Sequence, residues 1–299
     1  MATTKTYERR PVPDYLDAVT AATALNESIS IPGLLYQPPT AHVLSPLNQH
    51  YVAIQNRVAK RDGQLTAPAG FWKGIGRYVK KNEKGMFVLT PMKFPRTRVD
   101  ANGNPVLDAR GKRITDWVPN GRYELRPTRF DISQTQGKDV EFPETPFDLG
   151  KLLCALEVEM VAFAMDDMGC GGYCYGDDAG DYVAINPLWP DPLGVLMHEL
   201  GHIVLGHTRE NLDWLTTGKD RTPRNRRELG AEGTALVILD SLGYKEQQHS
   251  RGYIQNWNIE GLKTIPDALA ADIFSAGNII FRAGLGLENR SIRLKKKTT

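Results

Sequence analysis

Hydrophobic positions along this 299-residue chain change their period about half-way. From residue 149 onward they recur every three or four residues, the spacing of a helix with one buried face. LGKLLCALEVEMVAFAMDDM predicts a helix over 149–168 stopped by Gly169. LGVLMHELGHIVLGH predicts a second, and RRELGAEGTALVILDSLG a third with Gly243 in the stop position. Between the first two, GCGGYCYGDDAG is glycine-rich and predicts a turn, followed by a strand through DYVAIN. The first half is mixed. Asp14 is placed to cap a helix through DYLDAVTAATALNES, where Leu16, Val19, Thr23 and Leu25 or Asn26 share a weak helical face. Pro32, Pro38, Pro39 and Pro46 predict irregular chain, and LNQHYVAIQNRVAKRDG reads as helix up to Gly63. MFVLTPMKF and RYELRPTRFDISQT have strand character, and DANGNPVLDARGKRITDWVPNG between them carries an Asn-Gly hairpin signal and reads as an insertion. GKDVEFPETPFDLG has no period and marks a boundary. The expected class is α+β: an N-terminal α+β domain over 1–135, a linker over 136–150, and a mainly helical domain over 151–299.

Charge sharpens that division. The net charge of +2 conceals 18 Lys/Arg against 7 Asp/Glu between Arg57 and Lys138, then 3 against 16 from Asp139 to Asp220. A basic module followed by an acidic one suggests different partners, the first a candidate for polyanions. No apolar run reaches the ~20 residues of a membrane span, and MATTKTYERRPVPDY lacks the apolar core of a signal peptide, so the expected location is the cytoplasm, with no membrane partner. Cys154, Cys170 and Cys174 are too few for a disulfide framework and read as reduced, partly buried thiols.

His198, Glu199 and His202 form H-E-x-x-H. Residues four apart on a helix lie one above the other, so both imidazoles can reach one ion while Glu199 is placed to take a proton from water rather than to ligate. The apolar flanks VLM and IVL bury this helix, and buried polar groups need a partner that a metal would supply. Two residues compete for the third ligand. His207 follows His202 by five, without the glycine turn used by later-histidine sites, and fits the helix end better. Glu228, in ELGAE on the next helix, is the better candidate; Gly230, Ala231 and Gly233 allow close approach, and Glu232 can hold the outer nitrogen of His198 or His202. Zn2+ is the expected ion, with Mn2+ as an alternative divalent metal. DYVAIN is a candidate for pairing with an extended peptide, and Tyr173, Tyr175 and Tyr182 are candidate hydroxyl donors to a tetrahedral intermediate.

In GFWKGIGRYVKKNEKG, Phe71, Trp72 and Tyr78 interleave with Lys73, Arg77, Lys80, Lys81 and Lys84. Aromatic faces stack on unpaired bases and cations follow phosphates, which points to single strands. The stretches QNRVAK, GFWKGIGRYVKKNEKGMFVLTP, RFDISQTQG, GDYVAINP, MHELGHIVLGH and RRELGAEG resemble the plasmid-borne ArdC-type antirestriction proteins in order and spacing, from about Pro46 to Gly284. GRYVKKNEKG and FDISQTQG are specific to that group, whereas HELGH also belongs to many unrelated peptidases.

The resemblance implies an N-terminal single-stranded-DNA-binding domain, a C-terminal zincin-like metallopeptidase domain, and protection of incoming conjugative plasmid DNA from host restriction. It also implies His198, His202 and Glu228 as metal ligands and Glu199 as general base, with a protein substrate for which a restriction-related host protein is the candidate. The chain departs from the pattern at Asn82, where glycine is common, and at Gly230, where a further acidic residue is frequent. Two other readings fit the motifs: a single-strand-binding protein whose metal is structural, and a repressor-cleaving metallopeptidase of a mobile element.

Overall fold

The computed structural model describes residues 10–36, 43–61, 65–139, 146–164, 169–218, 222–244 and 265–287. The expected helix through residues 14–28 is two: α1 (Asp14–Asp17) and α2 (Ala21–Ser30). Thr20 starts α2 afresh, its hydroxyl accepting from Thr23 N while Thr23 Oγ1 accepts from Thr20 N, a reciprocal cap that a continuous helix would forfeit. α3 (Pro46–Val58) follows, then β1 (Thr66–Ala67), α4 (Ala69–Gly74), β2 (Arg77–Val79), β3 (Met86–Thr97), β4 (Thr115–Asp131) and β5 (Thr135–Gly137). The remaining elements are α5 (Leu149–Leu156), β6 (Val158–Met160), β7 (Gly172–Gly176), β8 (Asp181–Ile185), α6 (Pro192–Val204), α7 (His207–Thr217), α8 (Arg224–Ser241) and α9 (Asp267–Gly284). The class is α+β.

The chain divides into two compact units, but not at the expected boundary. One comprises Met1–Asp14 with Thr66–Lys138, the other Tyr15–Leu65 with Asp139–Thr299. Residues 15–65 were expected with the basic half. Their apolar side chains decide otherwise: Ala24, Leu25, Ile29 and Leu35 are buried in one cluster with Leu229, Leu236, Ile273 and Phe274.

In the first unit, β4 lies between β1 and β3, and β2 pairs with β5, all antiparallel. Met86, Phe87, Val88 and Trp72 are buried. The Arg10 guanidinium lies 4.6 Å from the Phe87 ring centroid and donates to Gly85 O. Beyond an irregularity between Pro91 and Lys93, the β3–β4 ribbon continues to Thr97 and Thr115 with both faces largely exposed. The insertion at its end makes two successive tight turns rather than one. Asp100 caps the amides of Asn102 and Asn104, and Asp108 those of Arg110 and Lys112.

In the second unit α8 is the central element, buried almost continuously from Leu229 to Ser241. One core cluster lies around Leu229, Leu236 and Val237, and a second around Ala235, Ile238 and Leu239, the latter including Met197 and Leu200 of α6. Buried Asp240 accepts from Gly33 N and Leu35 N, tying irregular chain to this helix. The predicted 149–168 helix ends at Leu156, where Glu157 adopts φ 56°. The chain turns there into β6, which pairs in parallel with β8 and buries Val158; strand pairing outweighs helical periodicity. The glycine-rich stretch read as a turn contains β7, antiparallel to β8.

His50 is 1% exposed, neither ring nitrogen has a hydrogen-bond partner, and Glu27 lies 3.4 Å away. Burial lowers its pKa from 6.5 to about 4. The folded state therefore binds the proton less readily than the unfolded chain, so stability is lost as pH falls from 6.5 toward 4, by about 3 kcal/mol. Urea unfolding at pH 7 and pH 4.5 should show this loss, and His50→Gln should flatten it. Identical slopes in the two proteins would assign the loss to other groups.

Candidate metal centre

α6 begins at Asp191, whose carboxylate caps Gly194 N, with Pro192 in the first turn. Gly201 brings this helix onto α8. A Cβ there would lie 3.0 Å from the Cα and carbonyl oxygen of Ala231, so only glycine fits without displacement. That contact places His198 and His202, one turn apart, against Glu228. His198 Nε2 and His202 Nε2 are 3.2 Å apart, and each is 3.5 Å from Glu228 Oε2. Bonds of about 2.0–2.1 Å meeting near the tetrahedral angle separate donor atoms by roughly 3.3 Å. The three donors lie within 4.8 Å of one another and suit a divalent metal ion.

The outer ring nitrogens are also held. Glu232, one turn beyond Glu228, lies 2.8 Å from His198 Nδ1. His207 differs from its expected place at a helix end. Gly206, with φ 84°, turns the chain so that His207 opens α7, and its Nδ1 lies 2.8 Å from His202 Nδ1. Burial, then the nearby His202 and Arg227, lowers the His207 pKa to about 3. With His202 in its Nδ1–H tautomer, neutral His207 accepts that proton and His202 Nε2 is left as a donor atom to a metal. Burial acts to lower the His198 pKa, but hydrogen bonds to Glu228 and Glu232 and the charges of Glu232 and Glu199 raise it to about 10. Those imidazole hydrogen bonds in turn hold Glu228 well below the usual carboxylate range. Partners of this kind fix ligand tautomers, so Glu232→Ala and His207→Ala should each weaken metal binding about 10–100-fold in a chelator-competition titration. Unchanged affinity in either would show that this partner does not hold its ligand.

The cleft, of roughly 260 Å³, is also lined by Glu199, Tyr173, Cys174, Asn211 and Arg227. Of the tyrosines singled out in the sequence, Tyr173 reaches the cleft. Tyr175 lines an adjoining hollow, and it stacks on Tyr182 at 4.9 Å between centroids. None of the three cysteines forms a disulfide; Cys154 is exposed, Cys170 and Cys174 half-buried. Burial, then the Glu199 charge and hydrogen bond, pushes the Cys174 thiol up, so it is a donor to Glu199 rather than a nucleophile. Cys174, Asn211 and Arg227 carried no motif, and sequence reasoning missed them as cleft residues. DYVAIN does not have a free edge: β8 is central, paired with β6 on one side and β7 on the other. β7, whose Gly172, Tyr173 and Cys174 line the cleft, is at the sheet edge.

Two of the residues expected to contact DNA are structural. Trp72 is 0% exposed, and its indole N–H donates to Ala67 O and Phe130 O. Arg77 is 9% exposed and donates to Thr135 Oγ1, Thr135 O and Lys138 O. Strand alternation explains the contrast with Tyr78, which is 56% exposed. Lys73, Lys80, Lys81 and Lys84 are exposed, Lys80 donating to Ser133 O. Phe94, Trp117 and Tyr123 on the β3–β4 ribbon are exposed aromatics that the motif search passed over, among exposed Lys93, Arg96 and Arg122. Among the described residues no helix is long and apolar enough to cross a membrane.

No protein-family model matches the chain, and no curated protein sequence does either. Solved structures similar to it include the metal-free antirestriction ArdC protein from plasmid R388, at 18% identity and a TM-score of 0.47, covering 90% of this chain and 99% of that one. The Mn(II)-bound form of the same protein gives 19% identity and a TM-score of 0.43, covering 88% and 95%.

Proposed function

We propose that this protein is a zinc-dependent peptidase that also binds single-stranded DNA and acts against restriction of incoming plasmid DNA. The observation that carries the enzymatic reading is the donor set of His198, His202 and Glu228, with outer partners on both imidazoles and Glu199 in the same cleft. A bound zinc ion supplies Lewis acidity and makes water acidic near neutral pH. Glu199 takes the proton of the attacking water and returns it to the leaving amine. β7, at the sheet edge beside the cleft, is suited to align an extended peptide. Comparing protein fragments in recipient-like cells expressing the wild type or Glu199→Ala tests this. A fragment made only by the wild type is expected, and identical fragment sets together with equal antirestriction would remove the enzymatic reading.

The DNA reading rests on Tyr78 beside Lys73, Lys80, Lys81 and Lys84, and on the cation-flanked aromatics of the ribbon. Binding should favour single strands over duplex and weaken with salt. Replacing Lys80, Lys81 and Lys84 together by Ala should flatten the log–log salt slope by about 2, at ~0.7 per lost phosphate contact. A wild-type affinity that is equal for duplex and insensitive to salt would refute it.

A further inference from the structure

Arg227 precedes Glu228 on α8 and lines the same cleft. Its side chain belongs to a residue only 9% exposed. Nη1 donates to Asn211 Oδ1 at 2.8 Å, while Nε is buried without a hydrogen-bond partner. Among the described residues no carboxylate forms an ion pair with this guanidinium. Arg77 is the instructive contrast. Equally buried, it spends Nε, Nη1 and Nη2 on Thr135 and Lys138 and has nothing left to offer. A guanidinium stays charged at any physiological pH, and an unpaired buried charge is unfavourable. Among the described residues its charge has no counter-ion, which leaves it available to an anion.

We propose that Arg227 is a specificity-determining residue that receives a carboxylate of the peptide substrate, from an acidic side chain near the scissile bond or from a free C-terminus. This rests on the peptidase reading. Arg227 lines the cleft, and its guanidinium offers the carboxylate a charge-assisted hydrogen bond.

The test uses the full-length zinc-loaded protein. Peptides from a digested bacterial lysate are exposed to it, and cleavage sites are read by mass spectrometry. Matched synthetic pairs then separate the two sources: Glu against Gln beside the scissile bond, and free acid against amide at the C-terminus. The wild type should favour the acid member of one pair at least tenfold, chiefly through KM. Arg227→Gln should lose that preference with its zinc content intact, and Arg227→Lys should retain part of it. Equal cleavage of both pairs by the wild type would overturn the proposal. So would an Arg227→Gln defect of equal size for acid and amide, which would mean contact with a neutral carbonyl. Should Arg227→Gln not fold, the wild-type pairs and Arg227→Lys decide. A second readout is independent of turnover: succinic acid monohydroxamate against butyrohydroxamate, binding to the cobalt-loaded protein followed by its visible spectrum. If no peptide is cut, the peptidase reading fails, and this pair judges Arg227 separately. Tighter binding of the acid that Arg227→Gln abolishes supports the carboxylate site; equal binding of the two rejects it.

Discussion

Glu199→Gln should lower kcat for peptide hydrolysis by roughly 10²–10⁴-fold, the usual contribution of a positioned proton-transfer group. The amide keeps the shape and the hydrogen-bonding span of the carboxylate but cannot accept and return a proton. Glu199 is not among the three clustered donors, so metal content should stay near one ion per chain. In the cleft the Cys174 thiol donates to it. A Gln side chain can still accept from that thiol, so the fold should not change. Steady-state kinetics beside metal analysis would check both halves. Retained turnover would remove Glu199 from the chemistry; lost metal would mean that it ligates.

The second large effect is expected from Gly201→Val, a residue that touches no metal. Even a Cβ at this position meets the Ala231 backbone at 3.0 Å. Ala gains about 1 kcal/mol of helix propensity over Gly, which offsets much of that crowding. Val adds two methyl groups against main chain that cannot move aside, at a cost of about 1–3 kcal/mol. The strain can be relieved by moving α6 away from α8, which separates His198 and His202 from Glu228. Urea unfolding should therefore show a loss of stability, and chelator competition a loss of metal affinity larger than the Ala variant gives. A destabilised variant with unchanged affinity would show that the three donors do not depend on this helix contact.

What could be read along the chain was whatever depends on local spacing. His198 and His202 share a face because four residues make about one helical turn. Glu228 and Glu232 do so for the same reason, and DYVAIN has the aromatic and β-branched content of a strand. Longer-range competition was not readable. The 149–168 pattern is helical in period, yet β8 offers residues 158–160 a partner, and the helix gives way to it. GCGGYCYG looked like a turn because glycine usually marks one. Here Gly172 is required in β7 because a side chain would meet Val195 Cγ1 at 2.7 Å and Ala184 O at 2.8 Å. Trp72 and Arg77 stood in an aromatic and basic stretch that suggested DNA, and both are spent on holding the first unit together.

The linear pattern thus placed His198 with His202, and Glu228 with Glu232, on shared faces, since helical periodicity brings residues to one face without reference to anything else. It did not contain the partners of that set. His207 reaches His202 through the turn at Gly206, Arg227 faces the cleft because α8 packs on α6, and Cys174 arrives on a strand at the sheet edge. Those meetings join residues far apart in sequence, and close packing of helix on helix and helix on strand is what selects them.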